Sequence, residues 1–226
     1  MRKIVFKTIF ITLGIVLILA ISAFGILSFA APKAMMNFSA SLGLDAISGD
    51  YAYQEYRRSG DIDYLAYAFE VAAVEGRPDA AAERFEEFYE NEGFTDYCKA
   101  QEGEDLGEDI PKLKYRSYAC SLGACALYAV AETDEEKLEV YTFALSETSE
   151  EFEPSNPVVS LALAASEADD AEFCGIILDN LENEEKFNEL RKQATLEDAS
   201  QRTEGYELYL EIIDLLEEAE IGRAHV

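Results

Sequence analysis

Residues 62–89 read IDYLAYAFEVAAVEGRPDAAAERFEEFY, and their periodicity is that of two consecutive helices. Tyr64, Leu65, Ala68, Phe69, Ala72 and Ala73 recur at three- and four-residue steps, as one face of an amphipathic helix requires. Gly76 and Pro78 end that helix, Asp79 opens the next, and Ala81, Phe85 and Phe88 form its apolar stripe. Glu83, Glu86, Glu87 and Glu90 fall on the opposite side and read as a solvated face. The same grammar continues outward. Thr133 and Glu136 have the spacing of a capping box before Leu138, Val140, Tyr141 and Ala144. Asn156-Pro157 is a cap followed by proline at the first helical position, where its missing donor costs nothing. Asp169 or Asp170 caps a further helix through Phe173, Ile176 and Ile177. Apolar alternation is short everywhere, so the expected class is all-α across residues 40–219.

The helices resemble one another. Gly49, Tyr53 and Tyr56 stand at steps of four and three, as do Ala81, Phe85 and Phe88, with an offset of 32 residues. Fainter echoes are Lys137-Tyr141-Ala144, Asp170-Cys174-Ile177 and the pair Leu122-Gly123. On these residues the chain resembles the tetratricopeptide family, whose helix–turn–helix repeat is about 34 residues long. The family tryptophan is missing, and Phe88 stands where the family has a small residue. The resemblance implies stacked αα hairpins with a concave binding surface and no particular reaction. An irregular helical bundle has the same periodicity and stays open as the alternative.

Thr8 to Ala31 is a run of 24 residues without a charge, behind Arg2, Lys3 and Lys7. As a helix it is ~36 Å long, enough to cross a bilayer core. Residues 1–7 are therefore expected in the cytoplasm, 8–31 in the plasma membrane of a bacterium as a signal anchor, and 32–39 as a juxtamembrane linker. Cleavage before Ala31 is the competing expectation, which would secrete the same domain. At the other end, residues 220–226 read back as GAG ATC GGA AGA GCA CAC GTC, the start of a common short-read sequencing adapter. The natural chain is expected to continue beyond Ala219, without His225, the only histidine.

The chain carries 18 basic and 46 acidic residues, a net charge of −28. Four of the bases and none of the acids lie in the first 36 residues, so the remainder carries −32. That balance excludes a sequence-blind nucleic-acid binder, which needs a basic face. The acids Glu102, Glu104, Asp105, Glu108 and Asp109 cluster in one glycine-containing segment and are the candidates for a hard cation, although their spacing matches no EF-hand. Cys98, Cys120, Cys125 and Cys174 are an even set in an exported domain and so are disulfide candidates. Cys120 and Cys125 lie five apart on one helix, ~7.5 Å along its axis, too far to pair with each other. A bridge would join Cys98 to one of them and Cys174 to the other; buried free thiols are the alternative.

Without His225 there is no serine–histidine or cysteine–histidine pair, and no phosphate-binding loop is present. No cofactor is expected. Tyr53, Tyr56, Tyr64 and Tyr67 are candidates for a binding face, because aromatic rings with a polar tip suit grooves, although their helical spacing also suits packing. The leading expectation is a membrane-tethered scaffold that docks a basic envelope protein or peptide. The alternatives are a carboxylate-based enzyme, or a cation-dependent domain, completed by further sequence, and a passive spacer.

Overall fold

The computed structural model describes residues 17, 18, 22, 25, 26, 29–102, 114–149, 152–196 and 202–223. Every regular element among them is helical and none is a strand, so the all-α class holds. The helices are α1 (Pro32–Ser41), α2 (Asp45–Ser59), α3 (Ile62–Val74), α4 (Pro78–Tyr89), α5 (Phe94–Gln101) and α6 (Tyr115–Val130). They continue with α7 (Asp134–Glu147), α8 (Pro157–Glu167), α9 (Ala171–Asn183), α10 (Asn188–Lys192) and α11 (Glu204–Arg223). Most of the apolar run at 8–31 lies outside the described residues. Of its described members, Leu17, Ile18, Ile26 and Phe29 are helical, large, apolar and exposed. Among the described residues, no helix is long and apolar enough to cross a membrane.

The chain divides into two units, with the boundary between Glu75 and Gly76. In the first, α2 packs against both α1 and α3. Of the predicted stripe, Leu65, Ala68, Phe69 and Ala72 of α3 are fully buried while Tyr64 and Ala73 are half-buried, and Ala66, outside the stripe, is fully buried too. Gly49 matters here for its size: a Cβ on it would stand 2.9 Å from Val71 Cγ1, so the glycine lets α2 and α3 approach closely. The two helices are separated by Gly60 in the left-handed region (φ +71) and by Asp61, whose carboxylate accepts the Asp63 N–H at 3.1 Å.

In the second unit, α6 packs against α4, α7 and α8, while α9 and α11 lie against each other and both touch α8. The core runs through Tyr141, Val158, Leu161, Phe173, Ile177 and Leu216, all at most 2% exposed. The capping box at Thr133 and Glu136 is formed, with both reciprocal bonds present. Asp170, not Asp169, caps α9 by accepting the Phe173 N–H. Asn156 stands before Pro157 at the start of α8 but makes no side-chain cap bond. The helix expected to open at Asp79 opens one residue earlier. Pro78 takes the first position and Arg77 the cap, because proline's fixed φ is already helical. Finally, α11 keeps a helical backbone to Arg223; Ala224, His225 and Val226 lie outside the described residues.

Candidate functional site

The C-terminal part of α6 and the faces of α4 and α7 enclose a cleft of about 400 Å³. Its floor is apolar: Phe85 and Tyr89 from α4, Leu127 and Val130 from α6, Val140 and Phe143 from α7. The three rings interlock. Phe85 and Phe143 meet edge to face at 5.6 Å, Tyr89 and Phe143 at 5.2 Å, both favourable quadrupole arrangements. Phe85 seats flush on α6 because Gly123 has no Cβ; a methyl there would overlap its ring. The rim is acidic. Glu86 and Glu90 line one side from α4, Glu136 and Glu139 the other from α7, and all four are exposed. Glu136 is also fixed in place, since its Oε2 accepts the Glu132 and Thr133 N–H groups at 2.8 and 3.0 Å. Those bonds hold its carboxyl below the usual range, so it stays ionised.

Behind the floor lies a polar strut centred on Glu147, the last residue of α7. Arg116 donates to it through two nitrogens, Nε to Oε2 at 2.8 Å and Nη2 to Oε1 at 3.0 Å. Tyr89 donates its hydroxyl to Oε1 at 2.8 Å, and the Cys120 thiol lies 3.6 Å from Oε2. Burial alone would raise the Glu147 carboxyl. The hydrogen bonds from Arg116 and Tyr89 and the Arg116 charge outweigh it and hold the group below the usual range. Tyr89 is pushed up to about 12, first by burial and then by its bond to Glu147. Tyr89 therefore turns its hydroxyl to the strut, and Arg116 stacks on its ring and on Phe94.

A second node joins three helices. Asp170 accepts from Lys137 of α7, from the Tyr128 hydroxyl of α6 at 3.0 Å, and from the Phe173 N–H of α9. Burial raises its carboxyl; the bonds from Lys137, Phe173 and Tyr128 overcome that and lower it. Tyr128 in turn stacks on Phe173 with ring centroids 5.1 Å apart.

The residues singled out by sequence fall as follows. Cys98, Cys120, Cys125 and Cys174 are all free thiols, the first, second and fourth buried and Cys125 half-buried. Cys120 and Cys125 share α6, as their spacing implied. Burial raises all four, Cys98 and Cys125 to about 11, so none is a ready thiolate. Tyr53 and Tyr56 stack on each other at 6.3 Å, with Arg57 over Tyr53. Tyr64 lies under Lys33 at 5.4 Å, and the Tyr67 hydroxyl meets Ser48 Oγ at 3.0 Å. All four rings are half-buried and locally engaged, the arrangement that packing produces. Of the acidic cluster, Glu102 is described and exposed, while Glu104, Asp105, Glu108 and Asp109 lie outside the described residues. Among the described residues, no three metal-capable side chains come together.

The cleft is not legible in the sequence. Periodicity places Phe85 on an apolar stripe and Glu86 and Glu90 on a plain solvated face. Phe143 and Glu139 carry no signal of their own, because only the pairing of α4 with α6 and of α6 with α7 brings these helices together. The usable signal was an aromatic pair at Phe85 and Tyr89 with glutamates one residue beyond each. No family model matches the chain, and no curated protein or solved structure matches it either.

Proposed function

We propose that this chain is a membrane-anchored, extracytoplasmic scaffold of stacked αα hairpins that binds a basic protein partner and performs no catalysis. The observation that carries the reading is the cleft, whose aromatic floor lies between exposed carboxylates on two sides. Such a surface favours a partner of opposite charge and speeds their encounter. Other features support the same reading. The four thiols are held protonated, so none supplies a nucleophile. Exposed Leu17, Ile18, Ile26 and Phe29 need lipid or protein to cover them, which supports an anchor at 8–31. With Arg2, Lys3 and Lys7 ahead of that anchor, the helical units stand outside the cell.

The test is crosslinking on intact cells with a membrane-impermeant reagent, comparing the full chain with its Glu86→Gln/Glu90→Gln/Glu139→Gln variant. Captured partners should be basic and should be lost both in the variant and at raised salt. Hydrolytic turnover that vanishes on replacing one carboxylate would overturn the scaffold in favour of an enzyme.

A further inference from the structure

We infer that the cleft receives one face of a basic amphipathic helix, with apolar side chains on the Phe85–Phe143 floor and lysine or arginine on both flanks. This rests on the scaffold reading and specifies its partner. The rim acids form two short rows. Glu86 and Glu90 are four residues apart on α4, and Glu136 and Glu139 are three apart on α7. Each row therefore spans one helical turn, about 5–6 Å between neighbouring side chains. A helix lying in the cleft repeats its own side chains at that interval, so its two cationic rows fall in step with the two carboxylate rows.

The floor points the same way. Tyr89 spends its hydroxyl on Glu147, so the floor offers mainly hydrocarbon and aromatic surface and the polar groups of the cleft stand on its glutamate rim. It suits leucine- or phenylalanine-like side chains better than a polar small molecule, which would need converging donors and acceptors to orient it. The C-terminal residues of α6 line the floor as well, and the negative end of that helix adds to the preference for cations. Other occupants fit poorly. A second copy of a chain with net charge −28 would bring acid against acid, and anionic lipid or nucleic acid would do the same. The described residues contain no strand whose edge an extended peptide could join. Side-chain recognition of a helix remains.

The experiment uses the full chain in zwitterionic nanodiscs and a fluorescent synthetic peptide of leucine and lysine patterned as an amphipathic helix, with empty discs subtracted. Comparison peptides carry the same composition scrambled, or glutamate in place of lysine. The Glu86→Gln/Glu90→Gln/Glu139→Gln variant should bind the amphipathic peptide about tenfold more weakly. The Glu207→Gln/Glu211→Gln variant, which removes exposed charge from α11, should change binding less than about twofold. Equal loss in both variants would reduce the effect to net charge and overturn the proposal. So would equal binding of the scrambled peptide, displacement by tetramethylammonium at matched ionic strength, or no binding at all. If the peptide fails while the cleft variant still loses its crosslinked partner on cells, the scaffold stands and the helix does not. Loss of both results removes the scaffold as well.

Discussion

At Glu147, one carboxylate meets a guanidinium, a phenol and a thiol, and its folded-state proton affinity is lowered by the first two against the pull of burial. Asp170 behaves alike with Lys137, a backbone N–H and a phenol. A carboxyl lowered on folding contributes stability above its unfolded value, and that contribution is lost as pH falls through the folded value. Thermal melts taken from neutrality down to about pH 3 should therefore show falling stability, with a shallower slope in the Glu147→Gln/Asp170→Asn variant. At neutral pH, Glu147→Gln alone should cost about 2–3 kcal/mol in denaturant unfolding, because Arg116 loses its partner while staying partly wet. Tyr141 gives the opposite sign. Its hydroxyl is buried with no hydrogen-bond partner among the described residues, so Tyr141→Phe should raise stability by about 1 kcal/mol. The Glu147 strut was not legible in the sequence, and Asp170 was legible only as a helix cap. Glu147 is one acid among 46, and only the approach of α6 to α7 singles it out.

At the scale of the helix, local signals carried well. The capping box at Thr133, the proline start of α8 and the centre of the α3 stripe, Leu65 to Ala72, lie where the pattern puts them, since each depends on neighbours within a few residues. Contacts between helices carried less well. Gly123 was notable in the sequence as half of a leucine–glycine pair; its physical role is to let the Phe85 ring lie on the α6 backbone. Gly123→Ala should thus cost about 1–3 kcal/mol by overpacking, despite alanine's better helix propensity, because Phe85 is buried and has little room to move. Unfolding of the variant in urea measures it. An unchanged or raised midpoint would mean that α4 and α6 can separate cheaply. The tyrosines of α2 and α3 illustrate the limit of pattern. Helical spacing suits a groove and a packed seam equally, and Tyr67 on Ser48 is a seam.

Over the whole molecule, charge and hydropathy are segregated end from end, and composition made that plain before any helix was drawn. The division between Glu75 and Gly76 was not legible, because it depends on which helices choose each other as neighbours. From the proposed anchor, a reporter fused after residue 40 should be accessible to an impermeant probe on intact cells; accessibility from the cytoplasmic side alone would reverse the orientation. The cysteines carry a different kind of information. All four belong to the second unit, on α5, α6 and α9, and the three buried thiols, Cys98, Cys120 and Cys174, meet a reagent only when their surroundings open. Alkylation of these three in native buffer consequently waits on local opening, and its rate counts how often each segment opens. Half-buried Cys125 should be modified ahead of Cys120 on the same helix, and Cys174 should keep time for α9. The chain thus carries its own stopwatch for breathing, needing no label engineered into it, and the first unit is silent on that clock.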